Sequence, residues 1–395
     1  MRLFTLCFCS GIAFAQQTPS SQAPAADPIA PIVSRLDLAR YKETIKGLTQ
    51  FGDRRQGTDR NRAAIDWIEA KLKSYGCTNT ERIHYEYQPP EGNGRGRGNN
   101  ADPTVGPGGS RRRGYRIVDA VNNDPTKQPD EKLRELNSQP SIPGPREEVY
   151  CTKIGTAHPD EMYIVAAHMD GIGWGEAADD DGSGTALVME LARIFSSPDI
   201  TAEQSIRFAL WNNEETGLSG SRAYVDQRKD LQGIESPPGS GQYPEPKWLG
   251  MIQHDMLLFD HGMPLPDGTI PKKQRPEADI NIEYQTNAKL ADAAMILAHK
   301  FQLADDKYAS DYPANVGPHM TNTDSTPFMD LIPAISIRED ERGAQLGNGW
   351  DPQHHQPTDL YSTYSDDDFR LGLNAAQMTL GAIAQLTGAK LEAGK

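Results

Sequence analysis

The stretch MYIVAAHMD (162–170), continued by GIGWGEAADDDGSGTALVMELARIF (171–195), decides how this chain folds. Residues 162–167 are an apolar run of strand length, and the run ends on His168-Met169-Asp170. From Ser183 to Phe195 the period changes. Leu187, Leu191 and Ile194 recur at three- and four-residue steps, the spacing of a buried helical face. Asp179, Asp180 and Asp181 stand just before that helix, where a carboxylate can cap free backbone N–H groups. A buried strand that feeds a helix through a polar turn is the building unit of parallel α/β sheets.

The pattern extends in both directions. Upstream, residues 148–154 read as a strand, residues 80–88 as another with Ile83, Tyr85 and Tyr87 on one face, and 34–75 as helical up to Gly76. Downstream, strands are expected at 205–211, 248–252 and 334–337, and helices at 287–303 and 366–386. Alternating strands and helices predict an α/β protein: a three-layer α/β/α sandwich whose central sheet is mainly parallel, with helices on both faces. Residues 34–395 are read as one domain. It carries a polar, flexible insertion at about 89–145, Gly- and Arg-rich from Gly92 to Gly114.

Before that domain, residues 1–15 have the form of an export signal: a basic start, an apolar run and Ala13-Phe14-Ala15 before Gln16. Residues 16–33 read as a disordered spacer. A secreted or periplasmic protein is therefore expected. No run approaches the ~20 apolar residues of an integral membrane segment. The 395 residues carry 40 Lys and Arg against 55 Asp and Glu, a net charge of −15. That balance argues against nucleic-acid partners, which need cations to displace counterions. Of the four cysteines, Cys7 and Cys9 fall within the signal; the two that remain are too few for a disulfide scaffold, and no cysteine cluster suggests a structural metal. Cys77 and Cys151 lie outside the signal and read equally well as a disulfide or as two buried thiols.

Sites in open α/β sheets gather beyond the C-terminal ends of the strands. Those positions here hold His168 and Asp170, Glu214 and Glu215, and His254 and Asp255, with the aspartate triplet between the first two and His354, His355 and Asp359 late in the chain. Imidazoles and carboxylates converge with almost no lysine among them. Packed carboxylates repel and are costly to desolvate, so a divalent cation is the expected neutraliser. Nitrogen and oxygen donors without thiolate suit zinc, with manganese and cobalt as alternatives.

Taken in order, AAHMDGIGWGEAADDDGSGTALVMELARIF (166–195), SIRFALWNNEETGLSGSRAY (205–224), MIQHDM (251–256) and HHQPTD (354–359) resemble the co-catalytic zinc exopeptidases, the family of bacterial leucyl aminopeptidases, aminopeptidases S and Y and glutamate carboxypeptidases. The resemblance spans nearly the whole domain outside the insertion. It implies two divalent ions, expected to be zinc. His168 and Asp255 would bind the first, Glu215 and His355 the second, and Asp180 would bridge them. Glu214 would be the general base acting on a metal-bridged water, and Asp170 would accept from His168 and fix its tautomer. His254 is expected to be structural. His354 stands where several members carry a tyrosine that steadies the oxyanion, so it is the candidate oxyanion donor. Peptides are the implied substrates and aminopeptidase the leading activity. The alternatives on the same scaffold are a one-zinc glutaminyl cyclase, a carboxypeptidase, and a non-catalytic ectodomain.

Overall fold

The structure is a computed structural model that describes residues 27–77, 79–88, 124–262, 265–267, 269–309, 311–318, 323–339 and 351–392. The expected export signal, residues 16–26 of the spacer and the Gly- and Arg-rich part of the insertion lie outside the described residues; residues 27–33, read as the end of a disordered spacer, are instead folded, with Ile32 and Val33 buried in a short helix. Three helices open the described chain: α1 (Ala30–Val33), α2 (Leu38–Thr49) and α3 (Asp59–Ser74). Asp37 caps α2 by accepting from the Arg40 amide at 3.0 Å, and Thr58 caps α3 by accepting from the Asn61 amide at 3.2 Å. The helical region read as continuous over 34–75 is broken between them, where Gly52 and Gly57 take positive φ.

The sheet comprises β1 (Thr80–Tyr87), β2 (Gly144–Lys153), β3 (His158–His168), β5 (Gln204–Trp211), β6 (Lys247–His254), β7 (Ile280–Glu283), β8 (Ala314–Gly317) and β9 (Ala334–Arg338); β4 (Ile200–Thr201) pairs separately with β10 (Lys390–Leu391). Its order is β1-β2-β5-β3-β6-β9-β7-β8. The four central strands β5, β3, β6 and β9 run parallel. Antiparallel pairings of β2 with β5, β1 with β2 and β7 with β9 lie toward the two edges. The sheet is thus parallel at its centre, as expected, and mixed outside it. The short strands β7 and β8 were not legible, because four residues are too few to establish a period.

Alternation along β3 assigns the two cores. Met162, Ile164 and Ala166 enter one apolar cluster with Trp211, Tyr224, Trp248 and Phe328. Val165 and Ala167 enter the other, together with residues of α2, α3, α5 (Gly182–Phe195), α7 (Ala291–Tyr308) and α8 (Asp366–Leu386). Fully buried side chains such as Leu187 and Leu191 each contribute about 1.5–3 kcal/mol from burial. Helix α6 (Ser219–Arg228) covers the first cluster through Tyr224 and Val225.

Residues 124–137, assigned from the sequence to the flexible insertion, are folded. Pro125–Lys127 form a 3-10 turn and Glu131–Asn137 form α4. They dock against the loop after β3: Gln128 Nε2 donates to Trp174 O (2.6 Å) and Asn137 Nδ2 to Gly175 O (2.9 Å).

Cys77, just past α3, is disulfide-bonded to Cys151 on β2, with Cα atoms 6.0 Å apart across 74 positions of sequence. Closing a loop of that length is expected to stabilise the fold by about 4 kcal/mol. Urea unfolding of Cys77→Ser/Cys151→Ser beside the oxidised parent checks this. Equal midpoints would mean that the bond contributes nothing.

Candidate metal centre

Parallel strands β3, β5, β6 and β9 end at the same edge of the sheet, and that edge collects the polar residues. His168 is the last residue of β3 and His254 the last of β6, with Asp255 following. Asp180 lies in the turn before α5, and Glu214 and Glu215 lie in a 3-10 turn just after β5. His355 arrives on a loop between β9 and α8.

Asp180 is the centre of the arrangement. Its Oδ1 lies 3.3 Å from His168 Nε2, which is also 3.8 Å from Asp255 Oδ1. Its Oδ2 lies 3.1 Å from His355 Nε2 and 3.2 Å from His354 Nε2, and His355 Nε2 is 2.9 Å from Glu215 Oε2. Donor atoms about 2.0–2.2 Å from one tetrahedral ion stand roughly 3.3 Å apart, so these spacings suit a metal. The donor chemistry agrees: imidazole nitrogen and carboxylate oxygen, largely buried.

The other two aspartates of the triplet do different work. Asp181 caps α5 by accepting from the Gly184 amide at 2.9 Å. Asp179 accepts from the Leu257 and Leu258 amides at 2.9 and 3.0 Å. His254 is not part of the donor set. Its ring bonds Ala166 O at 3.0 Å and Thr379 Oγ1 at 2.9 Å, in agreement with a structural role.

Asp170 requires a correction. The acceptor for His168 Nδ1 is the Asp170 main-chain carbonyl at 2.9 Å, while the nearest carboxylate oxygen is 3.8 Å away. That oxygen instead accepts from the Glu214 amide at 3.1 Å. The tautomer is therefore set by backbone, and the carboxylate fixes the turn that carries Glu214 and Glu215. The same turn answers how neighbouring carboxylates, which point apart on an extended chain, can share a site. Asn213 adopts φ 64°, and the following residues wind into the 3-10 turn.

Positive φ at residues other than glycine is concentrated here: at Asn213 and Met256 beside Glu214 and Asp255, at His355 itself, and at Trp174 and Ala177 in the loop that leads to Asp180. Such backbone costs of order 1 kcal/mol or more per residue and persists where surrounding bonds enforce it. The enforcing bonds are visible. Asp359 accepts from the amides of Ala178, Asp179 and Asp180 at 3.0, 2.9 and 3.2 Å. Buried Arg54 donates to Met169 O, Glu176 O and Ala177 O at 2.7–2.9 Å. Gly173 packs so tightly that a Cβ there would lie 2.6 Å from the His355 backbone. Arg338 and Thr323 both donate to Asp255 Oδ2 at 2.6 Å, leaving Oδ1 toward His168. Sequence reasoning placed Asp359 near the site without its role as a support and missed the others. Their only signal was polarity inside otherwise apolar or glycine-rich motifs. Asp324 is also buried and accepts from Ser221 Oγ at 2.5 Å.

The electrostatics carry the mark of a cation-poor cluster. Burial pushes Asp170 and Asp324 up to about 7 and lifts Glu214 well above the usual carboxylate range. Burial also acts to raise Asp180, but the imidazoles of His168, His354 and His355 outweigh it and hold that carboxyl well below its ordinary value. Burial acts to lower His355, yet Glu215 and Asp180 push it up to about 10.

The family model described as "Peptidase family M28" matches residues 149–373, more than half of the chain. The chain belongs to peptidase family M28. Among M28-like relatives, the "Probable lipoprotein aminopeptidase LpqL" of Mycobacterium tuberculosis is 28% identical over 245 residues, 60% of this chain and 45% of that protein. The chain thus spans less than half the length of that curated relative. The solved structure of "BSAP, a zinc aminopeptidase from Bacillus subtilis" superposes with TM-score 0.59 at 16% identity, over 91% of this chain and 97% of that one. A Porphyromonas gingivalis glutaminyl cyclase superposes with TM-score 0.55 at 16% identity, over 89% and 99%. At these identities the two structures establish a shared fold alone.

Burial holds His254 down to about 4. Its folded pKa lies below the unfolded value of ~6.5, so its contribution is full above that pH and is lost as pH falls toward 4. The loss integrates to about 3 kcal/mol. Urea unfolding in chelator at pH 7.5 and 4.5 checks it. The parent should lose about 2–3 kcal/mol more than His254→Gln, which has no such proton to bind. Parallel losses would exclude His254 as the cause.

Proposed function

We propose that the chain is a zinc exopeptidase that releases single residues from the free amino termini of peptides. The observation that carries this reading is the Asp180 carboxylate, with one oxygen beside His168 and Asp255 and the other beside His355 and Glu215. Two ions fit that set: His168, Asp180 and Asp255 would hold one, and Asp180, Glu215 and His355 the other. When bound, the ions supply Lewis acidity toward the scissile carbonyl and lower the pKa of the attacking water.

The remaining roles fall to the chain. Glu214, held by its amide to Asp170 and raised by burial, takes the proton from water and returns it to the leaving amine. His354 donates to the oxygen that gains charge as the carbonyl is attacked; its Nε2 already lies within hydrogen-bond distance of Asp180. Asp170 acts as a positioning residue.

The surroundings favour an amino terminus. A carboxypeptidase needs a cation for the substrate's terminal carboxylate. The buried Arg338 is engaged with Asp255 at 2.6 Å and stands 3.7 Å from Glu283. A carboxylate-rich site suits a substrate ammonium. Export to an oxidising compartment accords with the Cys77–Cys151 bond. Among the described residues no helix is long and apolar enough to cross a membrane.

The deciding experiment offers the zinc-loaded protein matched peptides with free, acetylated and N-terminal glutamine ends. Release from free amino termini only, abolished by a chelator, is the expected result. Loss of ammonia from the glutamine peptide without residue release would identify a cyclase instead. C-terminal release from the acetylated peptide would identify a carboxypeptidase.

A further inference from the structure

Gln128, in the folded part of the insertion, joins the two loops that carry Asp180 and His355. It follows the 3-10 turn Pro125–Lys127 and is 1% exposed. Its side-chain Nε2 donates to Trp174 O at 2.6 Å and to Pro357 O at 3.1 Å, which uses both N–H groups of the amide. Its Oε1 accepts from the Asp130 amide at 3.0 Å, and its main-chain carbonyl from Arg134 Nη1 at 2.6 Å. Its own backbone N–H donates to Pro125 O at 3.2 Å. Every polar atom of this buried residue is engaged, so the side chain is fixed in place. Trp174 lies in the loop that leads to Asp180, and Pro357 stands two positions after His355. The backbone is left-handed at both Trp174 and His355, with φ 68° and 56°. Such backbone persists only where bonds from outside hold it.

We infer that Gln128 is a positioning residue for the metal position that His355 and Glu215 form with Asp180. It acts through the backbone: by holding the Trp174 and Pro357 carbonyls together, it fixes the turn from which His355 reaches Asp180 and Glu215. The two metal positions differ in their need for such help. His168 is the last residue of β3 and pairs in register with Trp211, and Asp255 directly follows β6, so the sheet itself places both. His355 stands in a turn outside any strand or helix. Gln128 also lies upstream of residues 149–373, the part that matches the M28 family model, so this support comes from the chain's own insertion. The inference rests on the two-ion reading of the centre and concerns metal affinity, not hydrolysis.

The test strips the full chain of metal and titrates zinc back against a chromophoric chelator, which reads the affinity of each ion without substrate. Gln128→Met keeps the side-chain length and lacks both donors. It is expected to bind one zinc as the parent does and the other roughly 10–100-fold more weakly. Gln128→Glu keeps the acceptor for the Asp130 amide, also lacks the donors, and should behave alike; it serves if the methionine variant fails to fold. Two further backgrounds assign the weakened ion. With His355→Ala, adding Gln128→Met should leave the remaining ion unchanged. With Asp255→Ala, it should weaken the remaining ion by the same factor as before. Two unchanged affinities in Gln128→Met would overturn the inference. So would equal weakening of both ions with a lower unfolding temperature of the metal-free chain, the mark of lost packing alone. A parent that holds a single zinc would fail the two-ion reading by itself. The role of Gln128 would then survive only if His355→Ala and Gln128→Met each weaken that ion. A parent that binds no zinc would remove both.

Discussion

Asp180→Ala is expected to empty both metal positions together. The Asp180 carboxylate stands beside both His168 and His355, with one oxygen toward each. Removing it takes a ligand from each set and leaves three imidazoles facing one another. Metal affinity should fall by more than about 100-fold at each position. Zinc content after dialysis, by elemental analysis, should drop from two per chain to none, and peptide hydrolysis should vanish with it. The neighbours cannot substitute. Asp181 is committed to the Gly184 amide at the start of α5, and Asp179 to the Leu257 and Leu258 amides. A variant that still holds two zinc ions would remove Asp180 from the bridging role.

Glu214→Gln should separate chemistry from binding. Glutamine keeps the shape and can still rest against Asp170 through its backbone amide, the contact that fixes this turn. It cannot take a proton. Loss of a general base lowers turnover by roughly 10²–10⁴-fold. Zinc content and KM should stay close to the parent values, because the change removes an interaction made in the transition state. Steady-state kinetics on a free-amino-terminus peptide, with metal analysis on the same preparation, read both quantities. Turnover within about tenfold of the parent would exclude Glu214 as the base. Asp170→Asn should have a smaller effect, since its carboxylate positions the Glu214 turn and does not set the His168 tautomer.

Much of the candidate site was legible because the chemistry is local to strand ends. The run into His168, the triplet around Asp180 and the pair Glu214-Glu215 each combine a short apolar strand with acids just past it. That combination has few structural uses when repeated along one chain. The supports were not legible. The bonds that Asp359, Arg54 and Thr323 make here act across 180, 122 and 68 positions of sequence. Nothing in an isolated glycine- or proline-rich segment tells which carbonyl or amide its side chain will meet.

The sequence by itself determined the layers. The period of apolar residues settled which of the longer segments are strands and which are helices, since burial on one face or two leaves a periodic record. It also determined the donor types, and with them the preference for zinc over softer or harder ions. Only the tertiary structure decided how those residues are used. It bonded Cys77 to Cys151, turned the Asp170 carboxylate from His168 toward Glu214, and set Asp179 with Glu339 and Asp351 in a separate acidic cluster. The reason is physical. Period and composition act through near neighbours, whereas the partner of a buried polar atom is chosen by where distant segments cross, and that depends on the packing of the whole sheet.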